Sequence, residues 1–298
     1  FTYDEINPYL ERAARGEKDI TWPGAVKWFA KSSGTTSDRS KYIPVTDDNL
    51  KDTHLQGGRD ALSFYTLNRP DHTLFKGRGL IMGGSLQKHP KSKAVQAGDI
   101  SAVMMYQMPA IARYFLTPSL DWALHKDWEE KLQGMLPCGR EKVTNISGVP
   151  TWNLVLLKKL VEHFKVDAIS DLWPDLQLYV HGGVVFEPYR QTFRKIMGKE
   201  IDYLEVYNAS EGFFAIQNEL LDPSMLLMLD YGVFYEFVPF DQVHDAKPDV
   251  VDISGVELNK DYALYVSTTA GLWRMSGLLL WSRFLQIRTN GSQNWMLN

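Results

Sequence analysis

The chain has 298 residues, of which 44% are hydrophobic and 23% charged, proportions that are usual for globular proteins. Its formal net charge of −4 argues against nucleic acid as a partner, because nucleic-acid-binding domains generally carry a basic surplus. The single cysteine, Cys138, excludes an internal disulfide, and no apolar run reaches the roughly 18 residues of a membrane span. We therefore expect a cytoplasmic protein without a membrane segment or a nucleic-acid partner.

Hydrophobic periodicity predicts strands and helices that alternate along the chain. In chain order, it predicts a strand at 78–83, helices at 120–136 and 150–164, a strand at 176–186, a helix at 187–197, and strands at 201–207, 226–239 and 261–269. Pro150 suits the first position of its helix, Gly198 suits a helix end, and Asp230-Tyr231-Gly232 is typical of a hairpin turn. This order indicates an α/β fold with mixed sheets flanked by helices, and a subsidiary sheet between 225 and 270.

The first motif with chemical meaning is a hydroxyl-rich glycine loop, Ser32-Ser33-Gly34-Thr35-Thr36-Ser37, followed by Arg39 and Lys41. Gly34 allows the backbone to approach a polyphosphate, and the hydroxyl and backbone N–H groups then surround its oxygens. Arg39 or Lys41 would neutralise the outer phosphates. The spacing of a Walker A loop is missing, and a solvated turn before a strand at 41–45 explains the loop equally well when it is considered alone.

The second motif is Tyr207-Asn208-Ala209-Ser210-Glu211-Gly212, which follows the predicted strand at 201–207. Ligands of open α/β sheets bind beyond the carboxyl ends of strands. Glu211 offers the oxygen ligand that Mg²⁺ prefers, and Tyr207 could stack on a flat base. Alternatively, Ser210 or Glu211 caps a following helix, and Tyr207 belongs to the core.

The third motif is Gly182-Gly183 near the end of the strand predicted at 176–186. Paired glycines allow the chain to cross closely over a planar ligand, although a bulge or a turn is the more common reason for them. We expect the preceding His181 to pack in the core. The sequence contains neither the Gly-x-Ser-x-Gly of serine hydrolases nor the His-Glu-x-x-His of zinc peptidases, so we exclude both classes.

In their order along the chain, these motifs resemble the acyl-adenylate-forming superfamily and, within it, the auxin-responsive acyl-acid amido synthetase (Gretchen Hagen) family in its bacterial form. The residues that carry this resemblance are Ser32 to Ser37 with Lys41, Val149-Pro150-x-Trp152, Gly182-Gly183, Tyr207 to Gly212 and Thr268 to Arg274. The resemblance implies a large adenylation core over residues 1–274. It also implies a ligase that uses ATP to convert a small carboxylic acid to its acyl-AMP and transfers the acyl group to an amino acid amine.

The resemblance implies roles for individual residues as well. Glu211 and Lys41 would be catalytic, and Glu211 would also bind Mg²⁺. The residues expected to contact the phosphates of ATP are Ser32, Ser33, Gly34, Thr35, Thr36 and Ser37. Gly182, Gly183 and Val184 would line the adenine and acyl side, and the residues expected beside the nucleotide are Tyr207, Asn208, Ala209 and Ser210.

The match to the family ends at Arg274. The family pattern continues to a Gly-Asp pair whose Asp binds the ribose, whereas residues 275–298 contain no Asp. By this resemblance, we expect the small C-terminal lid domain to be absent and the N-terminal helices before the phosphate loop to be largely missing. We therefore expect a truncated core with an out-of-pattern tail at 275–298. The alternative function is a nucleotide-binding fragment without turnover.

Overall fold

The computed structural model describes residues 2–32, 40–276, 285–289 and 295–297. The chain divides into two compact units. Unit 1 consists of Phe1–Asp60, Gln87–Gly98 and Asn208–Asn298, and unit 2 consists of Ala61–Leu86 and Asp99–Tyr207. Within the described ranges, no helix has the length and the apolar character needed to cross a membrane.

Helices and strands alternate through most of the chain. The α-helices are α1 (Tyr3–Ala14), α2 (Asp47–Asn49), α3 (Gln56–Asn68), α4 (Ile100–Gln107), α5 (Ala110–Tyr114), α6 (Leu120–Ala123), α7 (Trp128–Met135), α8 (Pro150–Phe164), α9 (Ile169–Leu172) and α10 (Glu187–Met197). A π-helical turn covers Leu50–Leu55 between α2 and α3, and short 3-10 helices cover Leu74–Lys76, Leu136–Arg140, Phe240–Gln242 and Ile253–Gly255. The strands are β1 (Trp28–Ser32), β2 (Lys41–Val45), β3 (Arg78–Ile81), β4 (Leu86–His89), β5 (Ser92–Gly98), β6 (Leu116–Thr117), β7 (Val143–Ser147), β8 (Leu178–Gly182), β9 (Asp202–Ala209), β10 (Gly212–Ile216), β11 (Met225–Leu227), β12 (Val233–Pro239), β13 (Asp261–Thr268), β14 (Leu272–Ser276), β15 (Leu285–Thr289) and β16 (Trp295–Leu297).

Unit 1 contains a four-stranded sheet in the order β2-β1-β5-β4. Strands β1 and β2 are antiparallel, whereas β1 and β5 are parallel. Helix α1 begins with a capping box between Thr2 and Glu5 and buries Ala13 and Ala14 against Phe29 of β1. This packing stabilises the β1–β2 pair, whose connecting loop contains the predicted phosphate-binding residues.

Unit 1 also contains antiparallel strands from the second half of the chain. The strands between 225 and 270 do not form a separate subsidiary sheet as predicted, because β11 and β13 also pair with strands outside that range. Strand β12 pairs with β13, and β11 pairs with β10 and β16. The predicted hairpin turn at Asp230-Tyr231-Gly232 is wrong, because the strands on its two sides have these other partners. The reason is that Tyr231 is buried and tied to a helix: its hydroxyl donates to Asp60 Oδ2 at 2.6 Å, and its carbonyl accepts from Thr53 Oγ1 at 2.6 Å.

Unit 2 is built on a parallel sheet in the order β9-β8-β7-β3-β6. Helices α8 and α10 pack on this sheet through a core that includes Leu156, Leu160, Tyr179 and Phe193. Both helices have the predicted bounds. Pro150 occupies the first turn of α8, and Gly198 ends α10 with a φ of +71°.

Two sequence predictions in unit 2 need correction. The helix expected at 120–136 is interrupted after α6, because Asp127 adopts extended backbone and caps α7 by accepting from the Glu130 N–H at 2.9 Å. The strand expected at 176–186 ends at Gly182, because the next residue, Gly183, has a φ of +81° that a strand does not accommodate.

Candidate active-site residues

The β1–β2 pair determines where the hydroxyl-rich loop leaves and re-enters the sheet of unit 1. Ser32, the last residue of β1, lies directly opposite Lys41, the first residue of β2. Ser33, Gly34, Thr35, Thr36, Ser37 and Arg39 lie outside the described residues, so their contacts with phosphate stay predictions. Ser32 and Lys41 are therefore the residues that fix the two ends of this loop.

Lys41 and Glu211 are 170 positions apart in sequence, and the fold of unit 1 buries both of them. Only 8% of Lys41 and 4% of Glu211 is exposed to solvent. Burial raises the pKa of Glu211, against the opposing effects of its own backbone N–H and of Lys41. Burial likewise lowers the pKa of Lys41, and Glu211 opposes this shift. The attraction between the two charges thus reverses only part of the pKa shift that burial causes in each group.

Glu211 lies in the turn between β9 and β10. The alternative in which Ser210 or Glu211 caps a helix is therefore wrong. Among the described residues, no group of three or more His, Cys, Asp or Glu side chains could hold a metal ion by itself. Mg²⁺ is usually bound by one or two carboxylates together with substrate phosphates, and the single buried carboxylate of Glu211 fits that kind of site.

The residues before Glu211 lie on β9, which extends to Ala209, two residues beyond the predicted end. Tyr207, Asn208, Ala209 and Ser210 are all partly buried. The side chain of Asn208 is fixed within unit 1, because its Oδ1 lies 3.0 Å from Nδ1 of the buried His54. Sequence reasoning missed His54, since nothing in the pattern around it distinguishes it from other helical residues.

In unit 2, the predicted glycine pair lies at the carboxyl end of β8. Gly182 is required sterically, because a Cβ atom there would lie 2.3 Å from the carbonyl oxygen of Val206 on β9. Gly183 turns the chain away from the sheet, and the following Val184 is 37% exposed. His181 is a core residue as predicted, since it is buried and stacked on Phe186 with ring centroids 4.1 Å apart.

A second glycine pair, Gly83-Gly84, follows β3 at the same edge of the parallel sheet and was missed. The ammonium of the buried Lys131 donates to the carbonyls of Gly83 and Gly84 at 2.7 and 2.9 Å. Asp99 accepts from the Ser85 N–H at 3.0 Å and occupies the space where a Cβ of Gly84 would lie. The signal that could have found this turn is the same as for Gly182-Gly183, an apolar strand that ends in Gly-Gly.

Comparison with known proteins gives consistent results over most of the chain. Residues 1–201 match the GH3 family N-terminal domain, and residues 226–277 match the GH3 family central domain. Over 92% of its length, the chain is 25% identical to indole-3-acetic acid-amido synthetase GH3.8 of Oryza sativa subsp. indica and 23% identical to jasmonoyl-L-amino acid synthetase JAR4 of Nicotiana attenuata. It covers 55% and 58% of these two relatives.

Among solved structures, the GH3.15 acyl acid amido synthetase superposes on all of this chain with a TM-score of 0.77 and 16% identity. The chain covers 60% of that protein and therefore spans little more than half the length of its relatives. The superposition confirms the predicted α/β fold, in which mixed sheets are flanked by helices.

Proposed function

The chain belongs to the GH3 family, and on this premise we propose that it is the core of an ATP-dependent acyl-acid amido synthetase. In the first step, a carboxylate oxygen of a small acid attacks the α-phosphorus of ATP, and pyrophosphate leaves with its electron pair. In the second step, the amine of an amino acid attacks the acyl carbon, AMP leaves, and the amine loses a proton. We place this reaction in the cytoplasm, which is supported by the single cysteine.

The observation that carries the proposal is the joint burial of Lys41 and Glu211 in unit 1. The first step concentrates negative charge on the phosphates, and such steps are accelerated mainly by fixed charges and by positioning. Lys41, at the end of the hydroxyl-rich loop, would stabilise that charge directly. Glu211 would hold Mg²⁺, which would neutralise part of the charge on the phosphate oxygens.

The remaining contacts are proposed by family resemblance. In unit 1, the phosphates would be contacted by Ser32, Ser33, Gly34, Thr35, Thr36 and Ser37, and the nucleotide would lie beside Asn208, Ala209 and Ser210. Gly182, Gly183 and Val184 of unit 2 would line the adenine and acyl side, and Tyr207 would lie beside the nucleotide. The close approach of Gly182 to β9 and the positive φ of Gly183 support a role for backbone shape there. The assignment of residues 1–274 to one adenylation core and of 275–298 to a divergent tail also stays a prediction.

The proposal is tested by acid-dependent exchange of pyrophosphate into ATP, with Mg²⁺ and a panel of aromatic and aliphatic carboxylic acids. We expect exchange that requires the acid and falls at least about 100-fold in Glu211→Gln, the order seen when a group that stabilises transition-state charge is removed. Glu219→Gln is the matched control, because Glu219 is exposed and lies eight positions further along the chain. ATP binding without exchange for any acid would favour the alternative, a nucleotide-binding fragment without turnover.

A further inference from the structure

Helices α2 and α3 are continuous with each other through the π-helical turn at Leu50–Leu55. Such turns are rare and frequently occur at functional sites, because the extra residue redirects side chains that an α-helix would place elsewhere. Here the turn brings two consecutive residues, Thr53 and His54, into fully buried positions. Thr53 donates to the carbonyl of Tyr231, and His54 contacts Asn208.

The His54–Asn208 contact has a defined direction. His54 is 0% exposed, and burial lowers its pKa to about 4, although the hydrogen bond with Asn208 opposes this shift. The imidazole is therefore neutral near pH 7 and carries one ring proton. An amide oxygen only accepts hydrogen bonds, so the Nδ1–H tautomer is the one in which His54 donates to Asn208 Oδ1 across the 3.0 Å contact.

The amide of asparagine has a donor end and an acceptor end of nearly equal shape, so sterics alone do not select between its two orientations. An Nδ1–H on His54 favours the orientation in which Oδ1 faces the ring, since a flipped amide would place its NH₂ group against another buried donor. Nε2 of His54 has no hydrogen-bond partner within the described residues. Nδ1 is therefore the ring nitrogen through which His54 acts on β9, three residues before Glu211.

We propose that His54 is a positioning residue that fixes the orientation of the Asn208 amide for nucleotide binding. This inference rests on the proposed function, in which Asn208 lies beside the nucleotide. His54 itself is not required to touch ATP or the acid. Its effect on binding is transmitted through Asn208 alone, and it disappears when the Asn208 side chain is removed.

Three substitutions separate hydrogen bonding from packing. His54→Asn places a polar atom where Nδ1 lies, because both atoms are three bonds from Cα, whereas His54→Gln places one where Nε2 lies. His54→Phe keeps a planar ring and removes both nitrogens. For ATP binding to the full chain, measured by titration calorimetry, we expect the dissociation constant to rise roughly three- to tenfold in His54→Phe and His54→Gln, as for loss of one hydrogen bond. We expect His54→Asn to stay within about twofold of the wild type.

The double-mutant cycle with Asn208→Ala is the decisive comparison, because His54→Phe should have no further effect on ATP affinity in that background. Equal losses in all three His54 variants, or an undiminished effect of His54→Phe in Asn208→Ala, would overturn the proposal in favour of a packing role.

A ligand-free measurement keeps the inference separate from the proposed function. In ¹⁵N-labelled protein, the ring nitrogens of His54 should show the Nδ1–H tautomer, and it should persist without ATP. The Nε2–H tautomer would refute the inference even if ATP binds. If the wild type binds no ATP, the proposed function fails, and the role of His54 in nucleotide binding fails with it. The tautomer then tests only whether His54 donates to Asn208.

Discussion

Gly182→Ala tests whether the carboxyl end of β8 is as close to β9 as the structure shows. The added methyl group would lie 2.3 Å from the Val206 carbonyl oxygen, whereas Cβ contacts begin at about 3.0 Å, so the strands would have to separate by about 0.7 Å. The obstacle is backbone held by the parallel pairing of Gly182 with Val206 and cannot rotate aside. We expect the free energy of unfolding to fall by about 1–3 kcal/mol, the usual cost of overpacking.

The assay is urea unfolding followed by intrinsic fluorescence, with pyrophosphate exchange measured on the same preparations. At the proposed nucleotide site, a displacement approaching 1 Å is expected to lower the exchange rate by up to about 100-fold. Gly183→Ala is the control for the unfolding measurement, because its Cβ would meet only Val149 Cγ2 at 3.6 Å, and its cost of about 1 kcal/mol arises from the positive φ alone. A Gly182→Ala protein with wild-type stability and exchange would refute the steric reasoning.

Three further predictions concern buried charges in the two units. Glu211→Gln should raise the midpoint of thermal unfolding at pH 7. Burial raises the Glu211 pKa, so ionisation of this carboxyl destabilises the folded state as the pH rises through that pKa. A lower midpoint in the variant would show that the attraction between Glu211 and Lys41 outweighs the cost of burial. Lys131→Met should lower the free energy of unfolding in urea by about 2 kcal/mol, since two buried carbonyls lose their donor, whereas Lys126→Met at an exposed position should have little effect. Burial lowers the His54 pKa from 6.5 to about 4, so the folded protein resists protonation of this imidazole. As the pH falls from 6.5 to 4, the wild type should therefore lose about 3 kcal/mol of unfolding free energy relative to His54→Asn, as measured by urea unfolding at each pH. Parallel pH profiles of the two proteins would contradict this.

The sequence alone determined the regular elements whose signals are local. Helix α8 has its predicted bounds because Pro150 fits only the first turn and an apolar stripe continues to Phe164. Helix α10 ends where predicted because Gly198 adopts a positive φ without strain. The order of the motifs carried the resemblance to the family, and the alternation of strands and helices predicted the α/β fold class.

Only the tertiary structure decided which distant residues meet. The turn expected at Asp230-Tyr231-Gly232 instead connects β11 and β12, which do not pair with each other. Tyr231 is held there by hydrogen bonds with Thr53 and Asp60, which lie far away in sequence. The contacts of His54 and Lys131 likewise depend on the tertiary structure. Each acts through hydrogen bonds to backbone or amide groups more than 40 positions away, and such contacts leave no periodicity in the sequence around them.

The joint burial of Lys41 and Glu211 combines both kinds of information. The sequence identified each residue from its own motif, a cation after a hydroxyl-rich loop and a carboxylate after a strand. Their mutual effect on pKa depends on desolvation, which arises only when the chain folds, as where the ring of Tyr3 on α1 comes within 5.4 Å of Lys41 Nζ. Residue type is a property of the sequence, whereas the electrostatic energy of a charge depends on what surrounds it, and folding alone provides those surroundings.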